Sequence, residues 1–211
     1  MSIPFFHNRD EAAEILANVL FHLVQQPIVV ACLPKGGIPI GIKISQKLEA
    51  PLTLLICKKI THPNSKEYAI AAISPDGQIV KNYGECQHIP VEWFEKEYKI
   101  KQAEARLESD KFTFKNTKTN FAGKTVILVD DGIATGLSME LAVDLIQPFK
   151  PKKIIIAVPV ILNNAKRRLE GKVQKIVSLV SHPTYGSISM YYKEFHPLSD
   201  EEAMDLLKQQ L

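Results

Sequence analysis

Cysteine is scarce: the 211-residue chain has three, Cys32, Cys57 and Cys86. The count is odd and no C-x-x-C occurs, which argues against a disulfide framework or a cysteine-built zinc site. Cys32 and Cys57 lie inside apolar runs and read as buried core thiols. A reducing, cytoplasmic setting is the expectation. The opening MSIPFFHNRDEAAEIL lacks the basic-then-apolar layout of a signal peptide. Long apolar runs are missing too, since PIVVACLP and IIIAVPVIL are too short to span a bilayer. Charge of one sign is not in large excess: 26 Lys and Arg against 23 Asp and Glu leave +3. That disfavours a stable nucleic-acid partner but suits an anionic small molecule. Neither G-x-x-x-x-G-K-[ST] nor G-x-G-x-x-G occurs, so a P-loop and the usual dinucleotide fold are disfavoured. No Ser-His-Asp or Cys-His set is apparent, and His182 and His196 lack partners at metal-ligand spacing. His62 reads as a surface residue. Repeats, low-complexity tracts and clean linkers are also absent.

What is present is an ordinary globular composition, 45% apolar and 23% charged, long enough for one domain with a sizeable core. Residues 8–24 read as an amphipathic helix with Ile15, Val19, Leu20 and Leu23 on one face. PIVVACL, LTLLICKK, TVILVD, KIIIAVPV and KIVSLV are short, apolar and β-branched, as strands buried on both faces are. IKISQKL reads as a helix after the first of them. The polar ITHPNSKEY shows no period and is expected to be a mobile loop. AIAAIS-PDG-QIV reads as a hairpin. Residues 90–111 form a charged, solvated helix with i,i+4 pairs Glu92/Lys96, Glu95/Lys99 and Glu97/Lys101. Ser199 and Glu202 make a capping box for a last helix, with Met204 and Leu207 on one side. Strands alternating with helices predict an α/β fold: a mainly parallel twisted sheet flanked by helices. Residues 1–211 form a single domain on this reading, with a hairpin and helix hood at 68–120.

The chemistry concentrates at TVILVDDGIATGLS, where a buried strand ends in two adjacent acids. In an open parallel sheet, ligands bind beyond the carboxyl ends of the strands. Gly132, Ile133, Ala134, Thr135 and Gly136 then wrap into a helix, whose N-terminal amides suit a phosphate dianion. Thr135 and Ser138 can add hydroxyl donors. Asp130 and Asp131 can accept hydrogen bonds from vicinal hydroxyls or hold hydrated Mg²⁺. A sugar phosphate has both features. The plainer alternative has Asp131 capping the helix and Gly132 making a turn.

VILVDDGIATG resembles the phosphoribosyl-pyrophosphate-binding signature of the type I phosphoribosyltransferases. PKGGIPIG, ICKKITHPNSKEYAIAAI and YYKEFHPLSDEEA extend the resemblance to a little-characterised bacterial subgroup of that family. The resemblance implies a type I phosphoribosyltransferase-like fold and Mg²⁺-dependent transfer of phosphoribose from phosphoribosyl pyrophosphate to a nitrogen acceptor, a purine or pyrimidine base. It implies a pyrophosphate loop at Pro34, Lys35, Gly36 and Gly37, whose two glycines would expose N–H groups to the anion and which would contain a non-proline cis peptide. Lys35 would face the leaving group, although many members of the subgroup carry arginine there. Lys58 and Lys59 would begin a mobile catalytic loop, closing over 60–74, that also carries Lys66 and the acidic Glu67. Asp130, Asp131, Lys35 and Glu67 are the candidate catalytic residues, and the two aspartates the candidate Mg²⁺ ligands. Tyr185, Tyr191, Tyr192 and Phe195 would lie near the acceptor base, or else form a satellite core under the last helix. Such enzymes often pair, so a homodimer is compatible. A regulator binding phosphoribosyl pyrophosphate or a nucleotide without catalysis, and a sugar-phosphate hydrolase or phosphorylase, are the alternatives.

Overall fold

A computed structural model describes residues 5–112, 119–182 and 186–209, without the side chains of residues 66 and 67. Its main sheet is built from five parallel strands: β1 (Ile28–Cys32), β2 (Leu52–Leu54), β6 (Thr125–Val129), β7 (Lys153–Leu162) and β8 (Lys175–His182). They lie in the order β2-β1-β6-β7-β8. Helices α1 (Arg9–Phe21), α2 (Gly37–Leu48) and α7 (Asp200–Lys208) pack with one face of the sheet. Helices α5 (Leu137–Ile146) and α6 (Asn163–Leu169) cover the other. Every residue of β1 and β6 is buried, because helices on both faces leave no polar side to the strand. Ser199 caps α7 by accepting from the Glu202 N–H, and the Ser199 N–H in turn donates to the Glu202 carboxylate.

The run LTLLICKK does not form one strand. It leaves the main sheet after Leu54, and β3 (Lys58–His62) enters a second, antiparallel sheet with β4 (Ser65–Ile73) and β5 (Ile79–Lys81). The stretch expected to be a loop is therefore the β3–β4 hairpin, with a register irregularity at Thr61. Its polar character has a physical cause: Thr61 and Ser65 face a cleft rather than a core. The Ala69–Ile73 part of β4 is buried on both sides. Ile60 and Ile70 pack with Phe94 of α4 (Val91–Lys111), while Ala69 and Ala72 pack with Leu137 and Leu141 of α5. A short helix, α3 (Tyr83–Cys86), completes this layer.

Three further expectations are corrected. Helix α1 buries Ala12, Ala13, Leu16, Ala17 and Leu20, and leaves Ile15 and Val19 exposed, as is Leu23 just beyond its end. Small alanines let α1 approach closely, whereas the β-branched Ile15 and Val19 face water. Helix α2 starts at Gly37, ahead of the IKISQKL run, because Pro39 in a first turn needs no N–H partner. Between two residues of α4, the ion pair among the described residues is Lys101–Glu104, at 2.8 Å, in place of the i,i+4 pairs.

Near the end of α4, Glu108 is buried and pairs with Lys58 at 2.8 Å. Glu108→Ala leaves Lys58 without its acid, but Lys58 is 28% exposed and can turn to water. The expected cost is about 1–3 kcal/mol, a loss of roughly 2–12 °C in melting temperature for a chain this size. An unchanged melting curve would show that the pair contributes nothing.

Candidate active site

Chain order places the site. From β1 the chain moves to β2 on one side of the sheet, while β6 pairs with β1 on the other. The loops after β1 and β6 thus diverge at the topological switch point, where open α/β sheets form their crevice. A cleft of about 600 Å³ opens there. Pro34, Lys35 and Gly36 line it from the first loop, and Asp130, Asp131, Gly132, Ala134, Thr135 and Ser138 from the second. The hairpin adds Lys59, Thr61, Ser65 and Tyr68, and the C-terminal segment adds Ile188 and Phe195.

The half-buried acid pair reaches the cleft because the chain briefly leaves the sheet. After Val129 it steps out through Asp130 and Asp131, then Ile133 rejoins alongside Ile161 of β7. The Ile133 N–H donates to Val160 O at 2.9 Å, and its side chain is buried. Ile133 therefore anchors the loop instead of contacting a phosphate. Gly37 likewise spends its N–H on Leu33 O, at 3.0 Å, so it too is not the amide donor expected. By contrast, the N–H groups of Gly132, Ala134, Thr135 and Gly136 have no acceptor among the described residues. Gly136 is the residue before α5 and sits at φ +83°, which favours glycine. Beside these amides the Ser138 hydroxyl is buried, lines the cleft and lacks a partner among the described residues. A buried hydroxyl left this way costs free energy unless a ligand satisfies it. These donors converge at the start of a helix, where a phosphate would be held.

Asp131 is not a helix cap. Its carboxylate lies against Gly36, where an added Cβ would be 2.0 Å from Oδ2. On its other side the Arg9 Nε donates to Oδ2 at 2.8 Å. Its backbone carbonyl accepts from the Tyr192 hydroxyl at 2.7 Å. Asp131 Oδ1 has no donor among the described residues. Asp130 accepts from the Asp131 N–H at 2.9 Å. Burial pushes its carboxyl up to about 8, the Asp131 charge adds to this, and Lys59 opposes it.

The predicted cations divide. Lys59 lines the cleft, but Lys58, its neighbour on the strand, faces the other way onto Glu108. Adjacent strand residues must alternate, so the two lysines cannot serve one pyrophosphate together. Lys35 reaches the cleft wall but pairs with Asp200 at 2.7 Å, and Lys111 binds the same carboxylate. The Pro34–Lys35 peptide is cis. Glu67 falls in β4, with its side chain outside the described residues, as is that of Lys66; Tyr185 lies outside them altogether. Tyr191 and Tyr192 belong to a satellite core with Phe6, Val160 and Leu162, while Phe195 alone of the named aromatics lines the cleft.

Sequence reasoning missed Arg9. Besides Asp131, its Nη1 donates to His196 O at 2.9 Å and its guanidinium lies 3.8 Å from the Phe195 ring centroid. No local pattern signals this, because Asp131 is 122 positions away.

Comparison with known proteins agrees with this architecture. A family model described as the phosphoribosyl transferase domain matches residues 7–192. Rv0571c of Mycobacterium tuberculosis, provisionally named a phosphoribosyl transferase, is 28% identical over 207 residues, covering 97% of this chain. The match takes in 47% of that protein, so the chain spans about half the length of the curated relatives it matches. The crystal structure of TT1426 from Thermus thermophilus superposes with a TM-score of 0.77 at 28% identity, over 97% of this chain and 98% of that one. AQ2163 of Aquifex aeolicus shares the fold at a TM-score of 0.52 and 14% identity, over 88% and 85% of the two chains. No helix among the described residues is long and apolar enough to cross a membrane. With its parallel sheet, switch-point cleft and acid-pair loop in these positions, the chain belongs to the phosphoribosyl transferase domain family.

Proposed function

We propose that the chain transfers phosphoribose from phosphoribosyl pyrophosphate to a nitrogen acceptor, a purine or pyrimidine base, releasing pyrophosphate. The observation that carries this reading is the orphaned Ser138 hydroxyl beside unpaired loop amides, in one cleft with Asp130 and Asp131. One part accepts a phosphate, and the other a vicinal diol.

The free amides from Gly132 to Gly136 and the Ser138 hydroxyl anchor the 5-phosphate. Asp131, seated between Gly36 and Arg9, accepts from a ribose hydroxyl through Oδ1, which nothing else occupies among the described residues. Asp130 supports the second hydroxyl. Lys59 offers positive charge to the departing pyrophosphate. Lys35 can do the same only by exchanging Asp200 for the ligand. The hairpin residues Thr61, Ser65 and Tyr68 wall the opposite side and limit water. No side-chain nucleophile is needed, so positioning and charge supply the rate.

The described residues include no cluster of three metal-ligating side chains. Two carboxylates do fit Mg²⁺, which keeps several waters and takes its remaining ligands from substrate phosphates. Asp130 and Asp131 would hold it, and it would neutralise pyrophosphate charge.

A second reading is a regulator that binds the same ligand without turnover. One observation favours it: two of the three lysines expected at the pyrophosphate, Lys35 and Lys58, are held by acids. Incubation with Mg²⁺, phosphoribosyl pyrophosphate and a panel of bases separates the two. Base-dependent release of pyrophosphate supports transfer. Calorimetric binding without release supports the regulator, and no binding ends both. Ser138→Ala should weaken ribose 5-phosphate binding about tenfold or more, the worth of a hydrogen bond to a charged group, as read by calorimetry. Unchanged affinity would remove Ser138 from the phosphate site.

A further inference from the structure

Arg9 is fixed more thoroughly than a chance surface cation would be. Its side chain and that of Asp131 are 13% and 15% exposed. The fork spreads two N–H directions onto two segments, Nε to Asp131 Oδ2 and Nη1 to His196 O. Its flat face lies on Phe195, and Phe195 in turn stacks on Tyr192 at 4.9 Å between ring centroids. Tyr192 closes the circuit by donating to the Asp131 carbonyl. The start of α1 and the segment from residue 192 to 196 therefore grip one aspartate at both its side chain and its backbone.

We propose that Arg9 is a positioning residue for sugar recognition: it presets the Asp131 carboxylate for a ribose hydroxyl and ties it to the Phe195 wall of the cleft. This rests on the phosphoribosyl reading above. With Arg9 on Oδ2 and Gly36 behind the carboxylate, rotation is blocked and Oδ1 is the oxygen left for the ligand. A freely rotating acid would lose rotamer entropy each time sugar bound, and this arrangement removes that cost in advance. Neutralising Asp131 also lowers the penalty of keeping two adjacent acids in a partly buried pocket. Lysine cannot replace the fork, because one ammonium cannot reach both acceptors and stack flat on Phe195.

The test compares two ligands on the full chain. Calorimetry measures ribose 5-phosphate and inorganic phosphate on wild type, Arg9→Ala and Arg9→Lys, with melting curves to confirm folding. Arg9→Ala should weaken ribose 5-phosphate about 10- to 100-fold while inorganic phosphate changes less than about twofold, the worth of a charge-assisted contact falling on the sugar alone. Arg9→Lys should recover only part of the loss. Equal weakening of both ligands would mean that Arg9 merely supports the fold, and would overturn the proposal. So would full affinity in Arg9→Ala, or full rescue by lysine, which would reduce the role to charge. Should Arg9→Ala melt early, the ratio of the two affinities in Arg9→Lys decides the matter. Wild-type protein that ignores ribose 5-phosphate would defeat the phosphoribosyl reading itself, and this inference with it. Wild-type binding that is indifferent to Arg9 defeats this inference alone.

Discussion

Gly36→Ala should abolish productive ligand binding, with a loss of affinity for Mg-phosphoribosyl pyrophosphate of about 100-fold or more, while the protein stays folded. Backbone strain is not the reason. Gly36 has φ −58° and ψ −32°, which alanine adopts readily. The reason is contact: the new Cβ would lie 2.0 Å from Asp131 Oδ2 and 2.4 Å from its Cγ. A flexible side-chain tip could swing aside, but this carboxylate is held by Arg9 and its carbonyl by Tyr192. Either the acid leaves its seat or the first loop lifts off the end of β6, and both disassemble the sugar site. Overpacking of this kind costs about 1–3 kcal/mol, which a chain of this size should survive. Gly84→Ala is the control, since the nearest atom to its added Cβ is an Asn82 oxygen at 3.6 Å. Calorimetry and a melting curve on both variants are sufficient. Wild-type affinity in Gly36→Ala would mean that Asp131 does not meet the ligand in this position.

The strands were legible because burial on both faces writes itself as an unbroken apolar run, as in β1, β6 and β7. The loop after β6 stood out in the sequence for a different reason: glycine, hydroxyl and acid follow one another in a strand-to-helix turn. What escaped the sequence is whatever depends on a partner far along the chain. The role of Arg9 is set by residues 131, 195 and 196, so its own neighbours carry no sign of it. The exposed Ile15 and Val19 misled because helical spacing shows that a face exists, not which face wins. Ala13 and Ala17 opposite share a core with Ile38, Ile42 and Leu48 of α2, a gain hydropathy alone does not weigh. The β3–β4 hairpin was missed because its polar face lines a wet cleft and mimics a loop. Had the strand been recognised, alternation alone would have sent Lys58 and Lys59 to opposite sides. Gly36 was read as an amide donor, and its second role, leaving room for Asp131, needs the fold to be visible.

Asp130→Asn should stabilise the protein above neutral pH while removing its affinity for the sugar. In the folded chain the Asp130 carboxyl keeps its proton up to about pH 8, chiefly through burial and then through the adjacent Asp131 charge. In the unfolded chain it releases that proton near the ordinary value of about 3.9. Between those limits the folded state binds more protons than the unfolded one, so stability falls as pH rises. The contribution is fully favourable below the lower value. It is lost progressively on the way up, and the loss ends near pH 8, where the folded group ionises as well. Asparagine has no proton to lose, and its carbonyl oxygen can still accept from the Asp131 N–H, now at 2.9 Å from Oδ1. The melting temperatures of Asp130→Asn and wild type should therefore diverge with pH, the variant gaining several degrees more at about pH 8 than at about pH 5. Ligand affinity should move the opposite way. Wild-type binding of Mg-phosphoribosyl pyrophosphate should strengthen as pH rises toward about 8 and the carboxylate forms, and the variant should show a flat, weak profile. A melting difference that is the same at both pH values would mean that Asp130 ionises normally in the fold. The chain would then hold two ordinary carboxylates at this strand end, and the stability sacrificed there for function would have to be sought elsewhere in the cleft.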